Sequence, residues 1–183
     1  MQIAPRLLFL DDPLWVRIVS HPIGAGTAPL SFARRLSREN LWTPAMAEAV
    51  VEEYRRFCYL ACASRLDVTP SDAVDQAWHL HLTYSLDYWD HFCPQVLQKR
   101  LHHAPSEGAV ADAHRFYRQY ADTLALYEAS FGHPAPSEIW PSPSDRFRSA
   151  GAAVRIDRSE FLLVRKSSMP GRLLQRFAGS GLL

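Results

Sequence analysis

The sequence predicts a mainly α-helical chain: a bundle of three long helices and one short one, with a proline-rich strap and a small C-terminal β-hairpin. Three observations carry this expectation. Apolar residues recur at three- and four-residue spacing along three stretches. Two of those stretches open on Thr-Pro, at Thr43-Pro44 and Thr69-Pro70, where the hydroxyl can cap and proline suits the first helical position. The third closes on Gly132 with Pro134 just beyond, a common C-terminal signal.

Residues 1–30 are apolar but broken by Pro5, Pro13, Pro22, Pro29, Gly24 and Gly26, which predicts an irregular arm with one short helical turn near Trp15 to Ile18. Ser31 then caps a short helix, FARRLSREN. The first long helix follows Thr43 and presents Val50, Tyr54, Phe57, Cys58 and Ala61 on one stripe. The second starts at about Pro70, with Asp72 completing a capping-box-like pair, and must stop before Pro94. The third runs from about Ala109 to Phe131 on the stripe Phe116, Tyr120, Leu124, Tyr127 and Phe131. Residues 132–144 hold four prolines and predict an extended strap, and AVRIDRSEFLLVR predicts a hairpin around Asp157-Arg158-Ser159. The expected division is an arm over 1–30, a helical domain over 31–147 and a hairpin with a tail over 148–183.

Composition narrows the function classes. A chain of 183 residues, 48% hydrophobic and 21% charged, can bury one real core. A formal net charge of +1 argues against a nucleic-acid or acidic-membrane partner, and the arginines between Arg146 and Arg176 read as a solvated basic segment. No apolar run reaches the roughly 18–20 residues of a membrane span. Residues 1–15 lack the pattern of an export signal, so the expected location is the cytoplasm, with Cys58, Cys62 and Cys93 reduced. Neither a nucleophile elbow nor a phosphate-binding glycine loop occurs.

The chemistry-bearing stretch is DAVDQAWHLHLTYSLDYWDHFCP, residues 72–94. At ~100° per residue, His79 and His81 diverge by ~200° and leave opposite sides of a helix. Asp75 and His79 are i,i+4 neighbours on one face and can act together, as two ligands or as an imidazole and its orienting carboxylate. A second element, LHHAPSEG, places His102 and His103 on a returning loop that can lie back along this helix. Imidazoles converging with a carboxylate suit Fe(II), Zn(II), Mn(II) or Cu(II).

The order FARRLSRENLW (32–42), EYRRFCYLA (53–61), PSDAVDQAWHLHLTYSLDYWDHFC (70–93), LHHAPSEG (101–108), YADTLALYEASFG (120–132) and IWPSPSDRF (139–147) resembles the glycine-rich-domain-containing-protein-like family. The resemblance spans about residues 30–147. Asp75, Trp78, His79, His81, His102 and His103 stand at its motif positions. The chain departs from that pattern at Ser106-Glu107-Gly108-Ala109, where a threonine and a double glycine are usual, and in its FLLVRKS ending. The combination of D-x-x-WH-x-H with LHH-x-P is what makes the resemblance specific; it implies no defined reaction.

The expected function is a divalent transition-metal domain, acting in redox or hydrolytic chemistry on a small molecule or peptide. Its ligands would be Asp75, His79, His102 and His103, with His81 as the alternative ligand if the helix kinks, and Trp78, Tyr84 and Tyr88 would line the pocket. The competing expectation is a non-catalytic protein-interaction module whose histidines and aspartate form a buried hydrogen-bond network.

Overall fold

The computed structural model describes residues 9–24, 30–103 and 110–149. Among the described residues there are seven helices and no strand. They are α1 (Pro13–Ser20), α2 (Phe32–Asn40), α3 (Pro44–Ala63), α4 (Asp72–Thr83), a π-helix (Asp87–Leu97), α5 (Val110–Phe131) and α6 (Pro143–Ser149). The hairpin expected beyond residue 148 lies outside the described residues, as does the connection after His103.

Local chemistry explains most of the helix starts. The side chains of Asp12, Ser31, Thr43 and Ser71 accept hydrogen bonds from the backbone N–H groups of Leu14, Arg34, Met46 and Val74. The second long helix therefore begins at Asp72 under a Ser71 cap, two residues later than the Thr-Pro pair suggested. Thr69 is used differently: its N–H donates to the Thr123 hydroxyl on α5, at 3.0 Å. Gly132 ends α5 with φ 76°, the left-handed conformation that glycine adopts without strain. The arm holds a two-turn helix, α1, rather than one turn, and the strap gives way to α6 at Pro143.

The long helix expected over 70–92 is broken in two. Tyr84 leaves helical geometry (φ −85°, ψ 57°), and the chain resumes as a π-helix that continues through Pro94 to Leu97. Proline breaks an α-helix because its ring meets the carbonyl four residues back and its nitrogen donates nothing. The wider π-turn pairs residue i with i−5, which relieves that crowding and leaves one bond unmade. A proline stop signal written for α geometry therefore failed here.

α3 is the central element; α1, α2, α4 and the π-helix all pack on it. Tyr54, Phe57, Cys58 and Leu60 from α3 are buried with Val74 and Trp78 of α4 and Tyr88 and Phe92 of the π-helix. Glu53 is buried on the other side of α3. Its carboxylate accepts from the Trp140 indole at 2.9 Å and the Tyr127 hydroxyl at 3.2 Å, and it pairs with Arg56. One acid thus ties α3 to α5 and to the segment after it. Glu53→Ala strands both donors in the core and should lower unfolding stability by about 1–3 kcal/mol in a urea titration; an unchanged midpoint would contradict this role.

Candidate metal centre

Asp75 and His79 leave α4 one turn apart, and the chain returning from the π-helix brings His103 to them. Asp75 Oδ1 lies 2.8 Å from His103 Nε2, and Asp75 Oδ2 lies 3.3 Å from His79 Nδ1. The two imidazole rings are 4.3 Å apart, centroid to centroid. All three donor atoms lie within 4.8 Å of one another, so a cation ~2.1 Å from each needs only small side-chain rotations. The side chains are 25%, 45% and 20% exposed for Asp75, His79 and His103. The site is open on one side.

A hydrogen-bond relay delivers His103. The Trp78 indole N–H donates to the Tyr88 hydroxyl at 2.8 Å, and that hydroxyl donates to the Leu101 carbonyl at 2.5 Å. Burial, before all else, pushes the Tyr88 phenol far up, so its proton stays in place for this bond. Residues 101–103 are held against α4 in this way, and the edge of Trp78 meets the His103 ring at 4.6 Å.

The adjacent histidines part company. His102 turns to Trp89, 5.3 Å between centroids, and does not join the Asp75 group. Consecutive side chains on a non-helical segment point to different sides, so one of the pair reaches α4 and the other does not.

His81 lies on the far side of α4, fully buried, in a second cluster with His21 and Asp87. Asp87 Oδ1 is 2.9 Å from His21 Nε2, and Asp87 Oδ2 is 3.1 Å from His81 Nε2 and accepts the Gly24 N–H at 2.8 Å. His81 Nδ1 is 2.9 Å from the Tyr54 hydroxyl. A carboxylate only accepts, so His81 carries its proton on Nε2, and Nδ1 takes the Tyr54 proton. Burial pulls the His81 pKa below its ordinary value despite Asp87. Burial alone would raise the Asp87 pKa, but hydrogen bonds from His81 and Gly24, with the His21 charge, outweigh it and hold the carboxyl below its ordinary value. In this cluster His81 is fully buried, while His21 and Asp87 are part-buried.

Nothing in the sequence marks His21 or Asp87. On a straight α-helix a residue six positions on is turned by ~240° and displaced by ~9 Å. The break at Tyr84 is what lets Asp87 reach His81. His21 is set by Arg55 of α3, whose guanidinium donates to the Ile18 carbonyl and, at 2.9 Å, to that of His21.

A cleft of about 810 Å³ opens beside Asp75 and His103, floored by Trp78 and Phe57. Its wall takes in His102, Phe116 and Arg146. Tyr88 is buried behind the wall, and Tyr84 packs against Phe32, so neither faces the cleft. The three cysteines are unpaired, and burial raises the pKa of each, that of Cys62 to about 11, which leaves no activated thiolate. Comparison with protein-family models, curated proteins and solved structures returns no match.

Two outcomes follow from this geometry. Tyr88→Phe keeps the ring but strands the Trp78 N–H and the Leu101 carbonyl. It should cost about 1–3 kcal/mol and speed amide exchange over 101–103 by NMR. The His81 pKa is lower in the folded than in the unfolded chain, so its contribution is complete above the unfolded value of about 6.5 and is lost as pH falls toward the folded value. Urea midpoints should therefore fall from pH 7.5 to pH 5, less steeply in His81→Gln; equal slopes in the two proteins would contradict the assignment.

Proposed function

We propose that this chain is a metal-binding helical domain whose ligands are Asp75, His79 and His103, and that it serves as a metal-dependent redox or hydrolytic enzyme on a small molecule or peptide in the adjoining cleft. The observation that carries this is the convergence of two imidazoles and one carboxylate at the edge of an 810 Å³ cleft. Three protein ligands with an open side suit a catalytic rather than a structural ion. Two histidines and a carboxylate favour iron(II), zinc or manganese, with copper the remaining candidate. Such an ion supplies Lewis-acid or redox chemistry. Asp75 and His79 hold it from α4, His103 closes it, and Trp78 excludes water from its inner side.

The buried His21–Asp87–His81 network is a poorer candidate. Both oxygens of Asp87 and both nitrogens of His81 already have partners, and His81 is fully buried. We assign it to the scaffold. We also propose membership of the glycine-rich-domain-containing-protein-like family, supported by the motif positions that α4 and residues 101–103 bring together, and a cytoplasmic location, supported by the unpaired cysteines.

A second reading has one observation in its favour: the 2.8 Å contact between Asp75 and His103 is already a good hydrogen bond. In that case the residues fasten the returning segment to α4 and the surface serves a protein partner. Metal content separates the two. Untagged protein incubated with iron, zinc, manganese and copper should hold about one ion per chain, and Asp75→Ala, His79→Ala and His103→Ala should hold almost none. His102→Ala and His81→Gln should keep it. Metal at ~100 times its Kd should raise the stability of the wild type by about 2.7 kcal/mol and leave His79→Ala unchanged. Wild-type protein that stays metal-free would decide for the fastening role.

A further inference from the structure

The cleft has a second chemical character that the metal ligands do not use. Three cationic side chains line it, Arg65, Lys99 and Arg146, against two carboxylates, Asp67 and Asp75. The cations outnumber the carboxylates among the lining residues by one, with Asp75 bonded to His79 and His103. Much of the rest of the wall is apolar, with Phe57, Trp78, Phe116 and Phe147.

Arg146 is the distinctive group. Its guanidinium carbon lies over the Tyr120 and Phe147 rings, 4.5 and 5.0 Å from their centroids. Its Nε donates to Asp72 at 3.1 Å, and its side chain is only 14% exposed. The terminal nitrogen Nη1 is buried and has no acceptor. Buried polar groups nearly always have a partner, and a cationic donor without one is costly to keep. Its place relative to the metal centre is also defined. Asp72, which anchors Arg146, precedes Asp75 by three residues on α4, a spacing that puts their Cβ atoms ~5–6 Å apart.

We propose that the cleft binds a small organic carboxylate with an apolar body. The carboxylate accepts from Arg146, and the hydrocarbon portion lies against Phe57, Trp78, Phe116 and Phe147. A carboxylate suits a guanidinium cation, and apolar walls with a few placed polar groups are what hold a ligand of this kind. A phosphate lacks the apolar body that these walls would desolvate. As the class of substrate, the acid rests on the metal-centre proposal; as a ligand of the cleft it does not need the metal.

The test uses the full chain after EDTA treatment, titrated calorimetrically with 3-phenylpropionate, its neutral amide 3-phenylpropionamide and inorganic phosphate. The acid should bind at least tenfold tighter than the amide, and phosphate should not displace it. Arg146→Gln should weaken the acid at least tenfold and leave the amide unchanged. The comparison of acid with amide on the wild type stands even if that variant folds poorly. Equal affinities of acid and amide, no binding of the acid, displacement by phosphate at equal concentration, or a folded Arg146→Gln with undiminished affinity would each overturn the proposal. Binding by metal-free protein sustains the cleft assignment even if the metal analysis fails, and its loss leaves the metal centre standing.

Discussion

The bond from the Trp78 indole to the Tyr88 hydroxyl, continued to the Leu101 carbonyl, is the constraint on which the candidate site depends. Trp78 is on α4, Tyr88 on the π-helix and Leu101 on the returning segment, so one relay fixes three pieces of chain whose register is otherwise loose. It is buried, and a buried relay is strong because each donor has no water to fall back on. It sets Leu101 against α4 two residues before His103 meets Asp75, and so works together with the Asp75–His103 bond itself.

Two clusters of imidazole and carboxylate then sit on opposite sides of α4 and behave differently for a physical reason. His81 is enclosed, so both its nitrogens must be satisfied within the protein, and they are, by Tyr54 and by Asp87, which also pairs with His21 and accepts from the Gly24 backbone. Burial holds the His81 pKa below its ordinary value, against the pull of Asp87. Asp75, His79 and His103 remain partly solvated beside a cleft, where a site can exchange ligands. The HxH spacing in α4 splits its imidazoles between the two roles.

Much of this was legible in the sequence because it is local. Hydroxyl caps at Ser31 and Thr43, glycine at position 132 and the apolar stripes each act over a few residues, and α2, α3 and α5 appear close to where those signals put them. The divergence of His79 from His81 and the pairing of Asp75 with His79 also follow from helical geometry alone. What could not be read was tertiary. The π-helix lets Pro94 sit inside a helix, an outcome that depends on how Tyr88 and Phe92 pack on α3. His102 and His103 are equivalent in sequence, and only the Leu101 anchor decides which one faces Asp75. His21 and Asp87 carry no spacing signal, since the break at Tyr84 and the docking of α1 by Arg55 create their meeting.

The central claim is a cation held by Asp75, His79 and His103, and crystals of the chain grown with zinc or iron test it most directly through anomalous scattering at the metal edge. The account predicts one strong peak, ~2.0–2.2 Å from Asp75 Oδ1 or Oδ2, His79 Nδ1 and His103 Nε2, with the remaining positions turned to the cleft. A peak between His21, His81 and Asp87, or no peak while the Asp75–His103 hydrogen bond persists at full metal concentration, would contradict it.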